Sequence, residues 1–293
     1  MKIKSLIKKY GRIFLMKFLS DYVQYLLNEV SELRTIVRHL AAESTNYQQF
    51  IIETRESFDY QWKNLSEGLS LLSDESFQNT SVSFVEQYTG LSKAWFKGKY
   101  VLDAGCGNGR WSWTLCSMDA QVMAVDASES GVEQTREACR DFPNFSAKPH
   151  NLLEKLNMKE QFDLVYSYGV VHHTGNTWLA VQNLAECVKP DGYLFMMVYG
   201  EPRPNHNEDY LEINQYTNLR QTLTTMNFAE RVEYLKKHKG EQFVHGWFDA
   251  VSPRINDLYR FDEINSWLHM LGFDNVRLTT QNRNLHLIAQ RVG

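Results

Sequence analysis

No apolar run in this 293-residue chain approaches the roughly 20 residues that a bilayer-spanning helix needs. Lys17 interrupts the N-terminal candidate before it reaches signal-peptide length, so the expectation is a cytoplasmic protein whose mature chain begins at Met1. Cysteine is sparse. Cys106, Cys116, Cys139 and Cys187 show no CxxC spacing and are scattered among segments that read as core or helix, so neither a zinc site nor a disulfide framework is expected. No metal is called for, a reducing compartment fits, and no internal repeat stands out. A strong net charge is also missing. The formal −4 divides unevenly: residues 1–20 carry Lys2, Lys4, Lys8, Lys9, Arg12 and Lys17 without one acid, which leaves −10 for the rest. A body of that sign is not expected to track a phosphate backbone, so nucleic acid is not the first partner to propose.

What the sequence does have is 43% hydrophobic content, enough for a full core, arranged in three zones. Residues 1–56 read as a helical leader, 57–99 as connector helices containing Phe58-Asp59-Tyr60-Gln61-Trp62, and 100–293 as a compact α/β body. In the leader, Val23, Leu26, Val30, Leu33, Val37 and Leu40 alternate spacings of three and four, with Val at each a position and Leu at each d. That choice favours a parallel two-stranded coil over residues 19–40, in which Glu29 at g meets Arg34 at e, and hence a homo-oligomer; the alternative is a stripe packed on the protein's own body. Upstream, Ile3, Leu6, Ile7, Tyr10, Phe14 and Phe18 recur at helical spacing opposite Lys4, Lys8 and Arg12. Residues 1–20 thus suit a helix lying at an anionic membrane surface, or a solvated basic end.

From Tyr100 onward strand and helix patterns alternate: Val101 to Gly105, Gln121 to Asp126, Phe145 to Asn151, Phe162 to Gly169 and Tyr193 to Gly200, with helical stretches between. Such alternation implies an α/β fold, a parallel sheet with helices on both faces. The pattern then breaks over about 201–258, before a helix from Asp262 to Leu271 and strand-like runs Val276 to Thr280 and Leu285 to Gln290. Mass inserted after the fifth strand lies near the carboxyl edge where ligands bind such sheets, so this stretch is a candidate substrate cap.

The first strand feeds Asp103-Ala104-Gly105-Cys106-Gly107-Asn108-Gly109, a tight turn whose missing side chains let a ligand approach the backbone. The spacing is GxGxG, and Arg110 stands where a dinucleotide loop wants its last glycine, which lowers a nicotinamide reading. The second strand ends at Asp126, where a carboxylate can accept from both hydroxyls of a ribose. Through VLDAGCGNGRW, VMAVDAS, FDLVYSYGVVHHT and LAECVKPDGYLFMMVYG the chain resembles the class I S-adenosylmethionine (SAM) dependent methyltransferases, closely their Methyltransf-11/UbiE-like branch, over about Tyr100 to Gly200. The resemblance implies a Rossmann-like SAM methyltransferase sheet. It implies that Asp103, Gly105, Cys106 and Gly107 face the methionyl part of SAM, Asp126 the ribose, and Ala127, Asn151 and Leu152 the adenine. Family members often carry Asp where Asn151 stands, so the amide would supply that contact. Ser167 and Tyr168 end the fourth strand beneath the sulfonium, and His172 or His173 beyond them is the expected proton acceptor for an acceptor hydroxyl.

Methyl transfer asks mainly for alignment of nucleophile, methyl and sulfur, so substrate identity sits outside the motifs. The polar and aromatic clusters available for it are Tyr60, Gln61 and Trp62; Tyr199 and Arg203; and His245, Trp247, Asp249, Arg254, Tyr259 and Arg260. Arginines in a cap would suit a carboxylate or phosphate on the acceptor. The expected function is methylation of an oxygen or nitrogen on a small molecule, lipid or glycan. A tRNA-modifying transferase on the same cofactor fold is the second reading, and a non-catalytic SAM-binding assembly subunit the third.

Overall fold

The computed structural model describes residues 45–65 and 74–293, together with Leu33. The basic helix read over 1–20 and, Leu33 aside, the heptad stripe over 19–40 lie outside the described residues. The chain divides into two units between Glu43 and Ser44, and the second, Ser44–Gly293, holds the sheet and the site. None of the described helices is long and apolar enough to cross a membrane.

Seven strands form one sheet: β1 Tyr100–Ala104, β2 Gln121–Asp126, β3 Phe145–Pro149, β4 Phe162–Tyr168, β5 Val188–Val198, β6 Phe273–Leu278 and β7 Leu285–Arg291. Their order is β3-β2-β1-β4-β5-β7-β6, with β1 to β5 parallel and β7 antiparallel to both β5 and β6. The strand order reverses at β1 and β4, and a doubly wound sheet opens its ligand crevice outside the carboxyl ends at such a point. Strand β5 begins five residues before the Tyr193 expected from the apolar pattern, because Val188 already pairs with Phe162 ahead of a register shift in β4.

Period-two alternation sends neighbouring strand residues to opposite cores. Leu102, Val165, Leu194, Met196 and Leu287 pack with Ala180 and Leu184 of α6 (Thr177–Cys187) and with Ile264, Trp267 and Leu268 of α10 (Phe261–Met270). Val101, Leu164, Tyr166, Phe195, Met197 and Ile288 pack instead with Val85 of α2 (Glu75–Thr89), Phe96 of the short α3 (Lys93–Phe96) and Leu115 of α4 (Arg110–Ser117). Helix α2 is fixed at both ends: Asp74 accepts the Ser76 amide at 2.7 Å, and Gly90 closes it in the left-handed region at φ 68°. Helix α5 (Glu129–Ala138) is capped by Ser128.

Three helices make up the insertion, α7 (Asn207–Leu223), α8 (Phe228–Lys239) and α9 (Val244–Val251). They bury Leu223, Val232, Leu235, Val244, Phe248 and Val251 in a core of their own, joined by Tyr60. Tyr60 belongs to α1 (Thr45–Asn64), a single helix that runs through residue 56. Polar bonds fasten α1 to the cap: Arg231 pairs with Glu53 at 2.8 Å, Ser57 bonds Ser252 at 2.8 Å, and Thr54 accepts the Arg254 and Ile255 amides. Helix α1 and the cap therefore roof one end of the sheet as a unit.

Candidate functional site

Between the roof and the carboxyl edge of the sheet lies a cavity of about 300 Å³, at the lower end of the usual range for small-molecule sites. Its floor is the turn after β1. Gly105 donates its amide to Val125 on β2, and Gly107, at φ 53°, has Trp62 of α1 so close that an added Cβ would lie 2.8 Å from the ring. The Trp62 carbonyl accepts from Gln134 of α5, which pins the end of α1 beside the loop. Asp59, one turn earlier, takes the hydroxyls of Ser128 and Ser130 at 2.8 and 2.5 Å. Burial raises its carboxyl, but bonds from Lys63 and the two serines outweigh that and hold it at about 2.

Asp126 lines the cavity at the end of β2. Its Oδ2 accepts the Gly107 amide at 2.9 Å and its Oδ1 the Ser128 amide at 2.8 Å. A carboxylate offers about four lone-pair sites, so two remain for a pair of ribose hydroxyls. Ala127, Asn151 and Leu152 continue the wall. Asn151 uses its Oδ1 to accept the Leu153 amide at 3.1 Å, which leaves its NH₂ to donate toward a ring nitrogen of a base. These donors and acceptors fit the adenosyl part of SAM, and the glycine turn fits its aminoacyl end.

Not every loop residue reaches the cavity. Asp103 is buried behind the turn, off the cavity wall, where its Oδ2 accepts Ser112 Oγ at 2.5 Å; burial pushes its carboxyl up to about 7 against the lowering pull of that bond. Ser167 is turned inward too, donating to the Ala104 carbonyl at 2.9 Å. Cys106 lines the wall, and burial raises its thiol well above the ordinary range, so it is no nucleophile. Tyr168 also faces the cavity, with the Arg110 guanidinium 5.9 Å from its ring.

The two histidines separate. His173 lines the cavity on the 3-10 turn Val171–His173. Its Nδ1 is 2.8 Å from the Ile255 carbonyl, which can only accept, so the proton sits on Nδ1 and the Nε2 lone pair has no partner among the described residues. Burial, with the Arg220 charge, takes His173 down to about 4 despite the Ile255 bond. His172 is fully buried off the wall, its ring 4.1 Å from that of Tyr199, and neither nitrogen finds a partner among the described residues. Burial, then the neighbouring His173 and Arg220, depress it well below the ordinary imidazole range.

Of the residues expected to hold an acceptor, Trp62, Tyr199 and His245 line the cavity. Gln61 stands just behind, donating its amide to His245 Nε2 at 3.2 Å. Tyr60 goes into the cap core, stacked on Phe248, and Trp247 packs at its edge on Tyr216. The arginines turn to internal partners. Arg203 is bidentate to Asp209 at 2.8 Å, Arg260 bonds Asp262 at 3.0 Å, and Arg254 lies over Phe50 near Glu53. Tyr259 is buried in the main core, its ring against Trp267. The cavity instead recruits Ile51, Thr54, Arg55 and Phe58, which with Trp62 recur at helical spacing along one face of α1, and Arg110 and Trp111 from the start of α4. Spacings of three and four put these residues on one helix face, but among so many polar neighbours the spacing alone does not mark that face in the sequence. No group of His, Cys, Asp and Glu among the described residues is placed to hold a metal ion.

Residues 102–194 match the family model described as a methyltransferase domain. A ubiquinone biosynthesis O-methyltransferase of Coxiella burnetii is 30% identical over 117 residues, 39% of this chain and 47% of that protein. The mitochondrial ubiquinone biosynthesis O-methyltransferase of Schizosaccharomyces pombe is 32% identical over 104 residues, 34% of this chain and 38% of that protein. The matched stretches thus span less than half of these curated relatives. Among solved structures, a chain in the complex of the Haloferax volcanii Trm112 methyltransferase activator shares the fold at a TM-score of 0.51 and 12% identity, covering 82% of this chain and 98% of that one. Motifs, sheet order and family match place the domain among the class I SAM-dependent methyltransferases.

Proposed function

We propose that the protein transfers the methyl group of SAM to an oxygen or nitrogen of a small-molecule, lipid or glycan acceptor. One observation carries this reading: a single cavity joins the glycine turn, Asp126 and Asn151 on one side to Tyr168, His173, Tyr199, His245 and Asp249 on the other. Bound SAM supplies an electrophilic methyl carbon on a sulfonium. The chain's own residues then have three tasks. Asp126 and Asn151 fix the adenosyl end, the aromatic walls position the acceptor for in-line approach, and the roof of α1 and cap excludes water. The O-methyltransferase names of the relatives favour oxygen over nitrogen as the acceptor atom.

The test is transfer from methyl-labelled SAM to a library of phenols, alcohols and amines, run beside calorimetry with S-adenosylhomocysteine. Turnover of any acceptor with one-to-one binding of the product supports the reading. Binding without transfer to any of them favours the assembly-subunit alternative.

A further inference from the structure

The expected histidines are poorly built to receive the acceptor's proton. His172 lies off the wall, and His173 is a weak base in a dry, cation-flanked setting. Two carboxylates line the cavity, Asp126 and Asp249. Asp126 is committed on the adenosyl side to the Gly107 and Ser128 amides. Asp249 stands on α9 and faces the acceptor side. Its Oδ2 accepts the Tyr199 hydroxyl at 3.2 Å, just past the end of β5. His245, one turn earlier on α9, lines the same wall and takes the Gln61 amide. Three separate parts of the chain thus converge on one carboxylate: Tyr199 from the loop after β5, Gln61 from α1 and the Arg110 cation from the start of α4.

Resting on the methyl-transfer reading, we infer that Asp249 is the general base and that the acceptor is a neutral hydroxyl. The hydroxyl hands its proton to the Asp249 carboxylate as its oxygen bonds the methyl carbon. The O–H and C–S bonds break, the C–S electron pair stays on sulfur as a neutral thioether, and the proton leaves Asp249 for solvent when the product departs. An ammonium acceptor would meet the Arg110 cation on the same wall. The charge environment agrees with the geometry. Burial pushes Asp249 up to about 6, opposed by the Tyr199 hydroxyl, the Arg110 cation and the Gln61 amide; Tyr168, His173 and His245 are the other titratable side chains on that side of the cavity. A carboxylate at that value is ionised at neutral pH yet basic enough for proton transfer, which favours bases matched to the working pH.

The test uses the full chain, the Asp249→Asn variant and the same acceptor library, led by phenol, benzyl alcohol and benzylamine. Asn keeps the shape and an acceptor for Tyr199. Asp249→Asn is expected to lower kcat at least about 100-fold, the low end for loss of a general base, with KM and the S-adenosylhomocysteine Kd nearly unchanged. The wild-type rate should rise through pH about 6 as the carboxylate ionises, and the variant should lack that limb. Independently of turnover, carbon-13 NMR of the S-adenosylhomocysteine complex should show a carboxyl resonance titrating near pH 6 that the variant lacks. A variant within about tenfold of wild type with the limb intact overturns the assignment, as does a spectrum in which the substitution removes no carboxyl titration near pH 6; the Asp103 resonance, titrating near 7, should persist in both proteins. Transfer confined to amines overturns the hydroxyl class alone. A wild-type chain that binds S-adenosylhomocysteine but methylates nothing overturns the transfer reading itself, and this inference with it.

Discussion

Asp126→Ala should weaken S-adenosylhomocysteine binding by at least tenfold. The carboxylate spends one site on the Gly107 amide and one on the Ser128 amide, at 2.9 and 2.8 Å, and has two left for ribose hydroxyls. A hydrogen bond to a charged group contributes about 1.5–3 kcal/mol, and about 1.4 kcal/mol is tenfold in affinity, so even one lost hydroxyl contact costs roughly 10- to 150-fold. The substitution also frees the Gly107 amide of the glycine turn and the Ser128 amide at the start of α5, which adds to the loss. Asp126→Asn separates these contributions: its amide oxygen can still take one backbone N–H, but its NH₂ cannot accept a hydroxyl, so an intermediate Kd is expected. Isothermal calorimetry measures the Kd, and thermal unfolding confirms that each variant is folded. A folded Asp126→Ala variant with wild-type affinity would refute the assignment of the ribose to this carboxylate.

Other outcomes follow from the same geometry. Asp103 has a folded value of about 7 against 3.8 for an unperturbed carboxyl, so the native state holds a proton that the unfolded chain releases between those values, and stability falls as pH rises from about 4 to 7; Asp103→Asn should flatten that slope in denaturant melts at pH 5 and pH 7.5, and an unchanged slope contradicts it. Gly107→Ala, at φ 53° with Trp62 against the new methyl, should abolish measurable S-adenosylhomocysteine binding while leaving a cooperative melt. Trp267→Ala removes a ring packed on Trp178 and Tyr259 in the core away from the cavity, and should cost about 3–5 kcal/mol in chemical denaturation with the ligand Kd of the folded fraction unaltered.

The sheet and the cavity wall built on the glycine turn and Asp126 were legible in the sequence because their signals are local. Strands β1, β2 and β4 show as apolar runs, the turn as GxGxG, and Asp126 as the residue that ends β2; each needs only its own neighbours along the chain. The opposite wall of the cavity was legible in part. Arg203, Arg254 and Arg260 read as ligands for an anion because their partners are set by folding: Asp209 comes back on the first turn of α7, Glu53 comes from α1 some 200 residues earlier, and Asp262 opens α10. Of these only Asp262 and Asp209 are near in sequence, and an arginine beside an acid reads equally well as a surface pair. Asp249 stood in the sequence as one member of a polar cluster, since Tyr199, Gln61 and Arg110 meet it only once α1 and the cap close over the sheet. The face of α1 was hidden for the opposite reason. Its apolar residues are few and its polar ones many, so the stripe from Ile51 to Trp62 is visible only when the cavity shows which side matters.

A crystal structure of the full chain with S-adenosylhomocysteine decides whether this cavity holds the cofactor. The ribose hydroxyls are expected within hydrogen-bond distance of Asp126, the adenine beside Asn151 and Leu152, and the sulfur in the cavity that His173, Tyr199 and Asp249 also line. Ligand density outside that cavity, or a ribose turned away from Asp126, would contradict it.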